Sequence, residues 1–308
     1  MPMALRLALI TLMLLTIGSA SIARADEIFK IPHQGVERQA VLHQAAALGA
    51  GPAPLVIALQ GLGQDTESLE RWLRLDPVAD REGFRVLYLD AIDHSWSYGR
   101  PINQPMPLAG NETADDVGLI RRLIDRLVEQ KIADPRRIYV TGPSRGGLMS
   151  FTLACALADR IAAAAPLITG MTEYQRDDCH PARAMPIMVV AGTADPVQSF
   201  GGGQGLLGRL LSVPETMDYW RSLHGCTGRT ARALPHRDAV DKTQVTLIEW
   251  SGCRAGGQVR LYRVEGGGHQ IPSLAADSSE EDIKRFGLRN RDIETAEEMW
   301  AYFKSSSR

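Results

Sequence analysis

The chain has 308 residues, a formal net charge of −2 and 23% charged residues. That length buries a substantial core, and the composition is that of an ordinary globular protein. With near-neutral charge and no long Lys/Arg run, the electrostatic footprint of a nucleic-acid binder is excluded.

The first 25 residues differ from the rest. Arg6 is the only charge before an apolar run from Leu7 to Ile17, and Ala23-Arg24-Ala25 precedes Asp26. The run is too short to cross a bilayer, which takes about 20 residues. A signal peptide over residues 1–25, cut after Ala25, accounts for these features and predicts a secreted or periplasmic protein with no membrane anchor after cleavage. Residues 26–308 then form a single domain.

Glu37–His43 reads as an edge strand. Pro52 and Pro54 punctuate before Leu55–Leu59, a short apolar run of the kind that forms a buried parallel strand, and Arg85–Leu89 is a second. Thr113 is placed to cap a helix with Asp115 and Asp116 in its first turn, where the helix dipole favours acids. Its apolar positions Val117, Ile120, Leu123, Ile124 and Leu127 keep the 3.6-residue period. Ile138–Val140 and Ile187–Ala191 are the third and fourth strands.

Gly201–Gly203 and Gly205 read as a flexible loop, since no Lys-Ser/Thr follows to make a phosphate cradle. A helix opens at Ser212, with Pro214 early and Glu215 completing a capping box. Val259–Val264 alternates as a fifth strand, and a last helix carries Ile293, Ala296, Met299, Trp300 and Phe303. Strands alternating with helices predict an α/β fold with a doubly wound, mostly parallel sheet.

In an oxidising compartment Cys155, Cys179, Cys226 and Cys253 are expected to form disulfides. Proximity along the chain favours Cys155–Cys179 and Cys226–Cys253 among the three pairings that four cysteines allow. No C-x-x-C occurs, and neither a metal nor an organic cofactor is expected.

Gly142-Pro143-Ser144-Arg145-Gly146 fits G-x-S-x-G. Its context gives it force: the strand Ile138–Val140 leads in, and Gly147-Leu148-Met149 begins a helix, the strand–turn–helix of a nucleophile elbow. This is the α/β-hydrolase fold. A serine hydroxyl needs a base, and here the order is serine, acid, histidine, each acid or base on a loop after a strand. Asp195 follows the fourth strand and His269 follows the fifth through Gly266-Gly267-Gly268. His180 precedes that acid, and His224 and His236 follow no strand. The oxyanion donors are expected to be the backbone N–H groups of Arg145, after the nucleophile, and Leu62, in the loop Gln60–Gln64.

With these residues assigned, the chain resembles the secreted polyhydroxybutyrate depolymerase and feruloyl esterase family, related to carbohydrate esterase family 1. Carrying the resemblance are Ser95-Trp96-Ser97-Tyr98-Gly99-Arg100, Ala114-Asp115-Asp116-Val117 and Asp134–Gly142. Gly192-Thr193-Ala194-Asp195-Pro196, Ser212–Thr216 and Gly266–His269 complete it. The family pattern implies the same triad, a Cys226–Cys253 disulfide and a second bridge like Cys155–Cys179. Gln60 stands where the family has His, Arg145 where it often has Asn, and Gln270-Ile271-Pro272 where it has Thr-Trp-Pro. Trp96, Gln60 and Gln270 are therefore candidate substrate-pocket residues, with a core role for Trp96 the alternative.

The expected activity is hydrolysis of carboxylic esters through an acyl-enzyme, on hydroxyalkanoate oligomers or feruloyl-type and other aryl esters. No Ser/Thr-rich linker or binding module is read after the last helix, which points to short or oligomeric esters as partners. An acetylxylan esterase or serine peptidase of the same fold is the near alternative, and a non-catalytic envelope binding protein the distant one.

Overall fold

The computed structural model describes residues 26–308 apart from 46–47, 50, 100–113, 206–207 and 276–277. The predicted signal peptide and Thr113 lie outside the described residues. The chain opens with strands β1 (Glu27–His33), β2 (Val36–Gln44) and β3 (Ala53–Leu59). Helices α1 (Thr66–Leu73) and α2 (Asp76–Glu82) lead to β4 (Arg85–Leu89). Next come α3 (Asp116–Glu129), β5 (Ala133–Pro143), α4 (Arg145–Ala156), β6 (Ala163–Leu167), α5 (Glu173–Asp178) and β7 (Ile187–Gly192). A small hairpin, β8 (Gly203–Gly205) and β9 (Gly208–Leu210), precedes α6 (Val213–Leu223). The last elements are β10 (Gly228–Ala233), β11 (Gln244–Ser251), β12 (Val259–Glu265), α7 (Glu280–Phe286) and α8 (Thr295–Phe303).

The described residues form a ten-stranded sheet in the order β1-β2-β4-β3-β5-β6-β7-β12-β11-β10. From β4 through β12 all neighbours are parallel, and antiparallel strands extend each side. This is the α/β-hydrolase arrangement. Every residue of β3 and of β4 is buried, because helices cover both faces there. The two-residue strand period divides β3 between two cores: Leu55, Ile57 and Leu59 face one, Val56 and Ala58 the other. The first core takes Leu119, Leu123 and Leu127 of α3 and Trp220 of α6. The second takes Leu69 of α1, Val78 of α2 and Met299 and Phe303 of α8.

The structure corrects several local expectations. β2 is not the edge, since it pairs with both β1 and β4; β1, whose exposed and buried residues alternate, lies outside it. Asp115 caps α3, its carboxylate accepting from Gly118 N–H at 2.8 Å. The glycine-rich stretch is partly a ladder, with Gly203 opposite Leu210, rather than a simple loop. Ile293 packs just ahead of α8 rather than within it. The capping box at Ser212 and Glu215 forms as expected. Disulfides join Cys155 to Cys179 and Cys226 to Cys253. In the chain-entropy picture each contributes about 3 kcal/mol.

A half-buried histidine ties the first strands to α2. His43 Nδ1 lies 3.0 Å from Asp26 and 3.8 Å from Asp76, and Nε2 lies 3.1 Å from Asp80. Burial disfavours the imidazolium, but these carboxylates outweigh it, and the His43 pKa is raised. Nearby Glu70 is pushed up to about 7, first by burial and then by Asp76 and Asp26. Both groups bind protons more tightly folded than unfolded. The His43 contribution is complete below its unfolded value of about 6.5 and is lost as pH rises through the higher folded value. Ionising Glu70 costs stability over the interval from about 4.5 to about 7. The melting temperature should therefore fall between about pH 5 and pH 8, and His43→Gln should flatten the upper part of that fall. Calorimetry of both proteins across this range checks it, and an unchanged slope in His43→Gln would reject the assignment.

Candidate active site

Strand β5 runs into helix α4 with Ser144 alone between them. Ser144 has φ 54° and ψ −115°, a conformation that costs a non-glycine residue free energy and persists only where its surroundings fix it. Its N–H donates to Leu167 O at 2.9 Å, and its carbonyl accepts from Leu148 N–H at 3.0 Å. A Cβ on Gly142 or on Gly146 would overlap the Leu59 carbonyl oxygen. Glycine is required there by space, as the elbow motif predicts.

Asp195 follows β7, and His269 follows the neighbouring strand β12. His269 Nδ1 donates to Asp195 Oδ2 at 2.7 Å, with both side chains buried. The other carboxylate oxygen accepts from the backbone N–H groups of Val197 and Gln198, each at 2.7 Å. With Nδ1 committed as a donor, Nε2 is left as the basic nitrogen. The two loops are bound together: Ala194 N–H donates to Gly267 O at 2.9 Å and Gly266 N–H to Thr193 Oγ1 at 2.8 Å. Of Gly266–Gly268 only Gly266 has a positive φ, 69°. Gly267 and Gly268 are needed for close passage, since a Cβ on Gly268 would overlap the Phe286 carbonyl oxygen.

Among the described residues, the side-chain hydrogen bond of Ser144 is with Gln198, whose Nε2 donates to Ser144 Oγ at 3.2 Å. Gln198 therefore connects Ser144 to the Asp195–His269 pair. Neither the motif nor the strand pattern singles out Gln198; the one clue is a polar residue three places after the acid.

Arg145 N–H occupies the first turn of α4, where backbone donors lack intrahelical partners. In the facing turn, Gly61 N–H donates to Gln64 Oε1 at 2.7 Å, Gly63 N–H to His94 O at 3.3 Å and Gln64 N–H to Gly61 O at 3.3 Å. That leaves Leu62 N–H as the amide of this turn without a partner among the described residues.

The candidate pocket residues separate in the structure. Trp96 is buried in the core, its Nε1 donates to Gln60 O at 2.9 Å, and the Arg38 guanidinium lies 5.7 Å from its ring centroid. Arg38 pairs with Asp116 at 2.8 Å, and Asp116 also accepts from Ser97 N–H at 2.8 Å. Trp96 thus fastens the Gln60–Gln64 turn to the segment after β4. The Gln60 side chain is buried, with neither amide atom hydrogen-bonded. Gln270 spends its amide on Gly287 O at 2.5 Å, Ser278 at 2.6 Å and Arg289 at 3.0 Å, so it holds the segment around α7. The Arg145 side chain is buried, donating to Ser95 Oγ and lying against Tyr98.

Fold and elbow define an α/β-hydrolase architecture. The family described as "Esterase PHB depolymerase" matches residues 39–203, and the chain belongs to it. That match takes in Ser144 and Asp195, with His269 beyond it. Feruloyl esterase B of Piromyces equi is 30% identical over 232 residues, 72% of this chain and 40% of that protein. The putative esterase NocK of Nocardia uniformis subsp. tsuyamanensis is 27% identical over 244 residues, 75% of this chain and 70% of that protein. The bifunctional acetylxylan esterase/xylanase XynS20E of Neocallimastix patriciarum is 27% identical over 254 residues, with coverages of 79% and 32%. The chain thus spans less than half of the first and third of these relatives. An acetyl xylan esterase from Aspergillus awamori shares the fold with TM-score 0.55 and 13% identity, over 84% of this chain and 98% of that one. A thermostable esterase does so with TM-score 0.57 and 18% identity, over 92% and 63%.

The crowding at the elbow gives a direct stability test. Gly146→Ala forces a methyl group against the Leu59 carbonyl, and should cost at least the 1–3 kcal/mol typical of overpacking. Denaturant unfolding of both proteins reads this, and equal midpoints would contradict the packing described.

Proposed function

We propose that this protein is an exported serine esterase that cleaves carboxylic esters through Ser144, His269 and Asp195. The observation that carries the reading is the buried 2.7 Å Asp195–His269 hydrogen bond beside a strained serine elbow. Ser144 Oγ attacks the ester carbonyl while its proton passes to His269 Nε2. The oxyanion that forms accepts from the Arg145 and Leu62 N–H groups. As the carbon–oxygen bond to the alcohol breaks, His269 returns the proton to the leaving oxygen. Water then attacks the acyl-enzyme by the same route and releases the acid and Ser144. Asp195 keeps His269 in the required tautomer and stabilises the imidazolium.

The substrates proposed are feruloyl-type and acetylxylan-type esters, for which the names of the relatives speak. The family description favours hydroxyalkanoate oligomers as a second class. Export is supported by the leader-like first 25 residues and by the two disulfides.

The test is turnover of p-nitrophenyl acetate, methyl ferulate, acetylated xylan and hydroxybutyrate oligomers by the purified chain. Ser144→Ala should lower turnover by about 10⁶-fold and Asp195→Asn by about 10⁴-fold. If the unaltered protein does no better than Ser144→Ala on every ester, the catalytic reading is wrong and a non-catalytic binding protein takes its place.

A further inference from the structure

We propose that Gln198 is a fourth catalytic residue, whose side-chain amide donates to Ser144 Oγ, holds that oxygen for attack and stabilises the negative charge that gathers on it. The inference rests on the ester-hydrolase reading above. Gln198 is buried and held at three points. Its backbone N–H donates to Asp195 Oδ1 at 2.7 Å, its Oε1 accepts from the Thr169 hydroxyl, and its Nε2 lies 3.2 Å from Ser144 Oγ. Thr169 lies two residues beyond the end of β6, the strand beside the elbow, and its methyl would meet any Cβ placed on Gly147. The carboxylate that orients the base therefore also anchors this donor.

The orientation of the amide decides its effect. With Nε2 toward Ser144, the hydroxyl accepts from Gln198 and keeps its own proton for His269. Turned over, Oε1 would accept that proton and withhold it from the base. The Thr169 hydroxyl has one proton and two acceptors in reach, Oε1 and Gly170 O at 2.9 Å, and it selects the productive orientation when that proton goes to Oε1. A donor at Oγ is worth little while the oxygen is a neutral hydroxyl. Its contribution grows as the O–H proton departs to His269, and grows again when Oγ becomes the leaving oxygen in deacylation. In the acyl-enzyme between these steps Oγ is an ester oxygen and a poor acceptor. The contribution is thus realised in the transition states, so kcat should change and KM should not.

The experiment compares the unaltered protein with Gln198→Met, which keeps length but not the donor, and Gln198→Glu, which keeps shape. Read-outs are kcat and KM on p-nitrophenyl acetate, and the rate of Ser144 labelling by a fluorophosphonate, with the labelled fraction correcting for unfolded protein. Gln198→Met should lower kcat and the labelling rate roughly tenfold or more, at unchanged KM. In Gln198→Glu a protonated carboxyl can donate to Oγ, whereas an ionised one can only accept. Its kcat should therefore fall as pH rises through the titration of the new acid, a falling limb that the unaltered enzyme lacks. If the unaltered protein turns over esters and Gln198→Met matches it, or Gln198→Glu keeps the parent pH profile, the role of Gln198 is refuted while the triad stands. If the unaltered protein neither turns over esters nor takes the label, the ester-hydrolase reading fails and this inference with it.

Discussion

Asp195 has one carboxylate and two tasks, and the geometry of the site depends on both being met. One oxygen accepts the hydrogen bond from His269 Nδ1–H, and the other ties down the backbone of the loop that carries Gln198 to Ser144. Such charge-assisted bonds are strong, and a buried carboxylate with both oxygens satisfied has no competing solvent geometry. The arrangement is possible because β7 and β12 are parallel neighbours, so the two loops leave the sheet at the same end and can bond to each other directly. Parallel pairing places the acid beside the base before any side chain is considered.

Ser144 is held by a different kind of constraint, the shortage of space. β3 ends against the elbow, and its last carbonyl, Leu59, occupies the volume that side chains at 142 and 146 would need. Gln60–Gln64 then continues from that strand as the facing turn, so one contact sets both the strained serine and the turn opposite it. Behind this turn, Trp96 and the buried Arg38–Asp116 pair bind the segment after β4 to the start of α3. Breaking such a pair leaves an uncompensated buried charge, which is why it fixes position even where its net contribution to stability is small.

Much of this was legible in the sequence for identifiable reasons. Strands buried on both faces, such as Leu55–Leu59 and Ile187–Ala191, are continuous apolar runs, and G-x-S-x-G between a strand and a helix has few other uses. β1, β10 and β11 were not legible. Exposed residues dilute their pattern, and all but the first residue of β10 are exposed. The spacing that identifies a triad also says nothing about Gln198 or Thr169, whose roles arise from neighbouring strands rather than from chain order. Gln270 and Trp96 were named for the right region, but only packing reveals that their polar atoms are spent on holding other segments.

The Cys155–Cys179 bond runs from α4, the helix that Ser144 precedes, to the end of α5. Gln175, on the same short helix, reaches back to Leu148 O and Thr152 Oγ1, so α5 acts as a clasp on α4. Without the covalent link those two hydrogen bonds are what ties Gln175 to α4, on a helix of six residues with little stability of its own. The oxidation state of the compartment in which the chain folds therefore sets how firmly the helix that Ser144 caps is mounted, and protein made among reduced thiols starts with that mounting loosened.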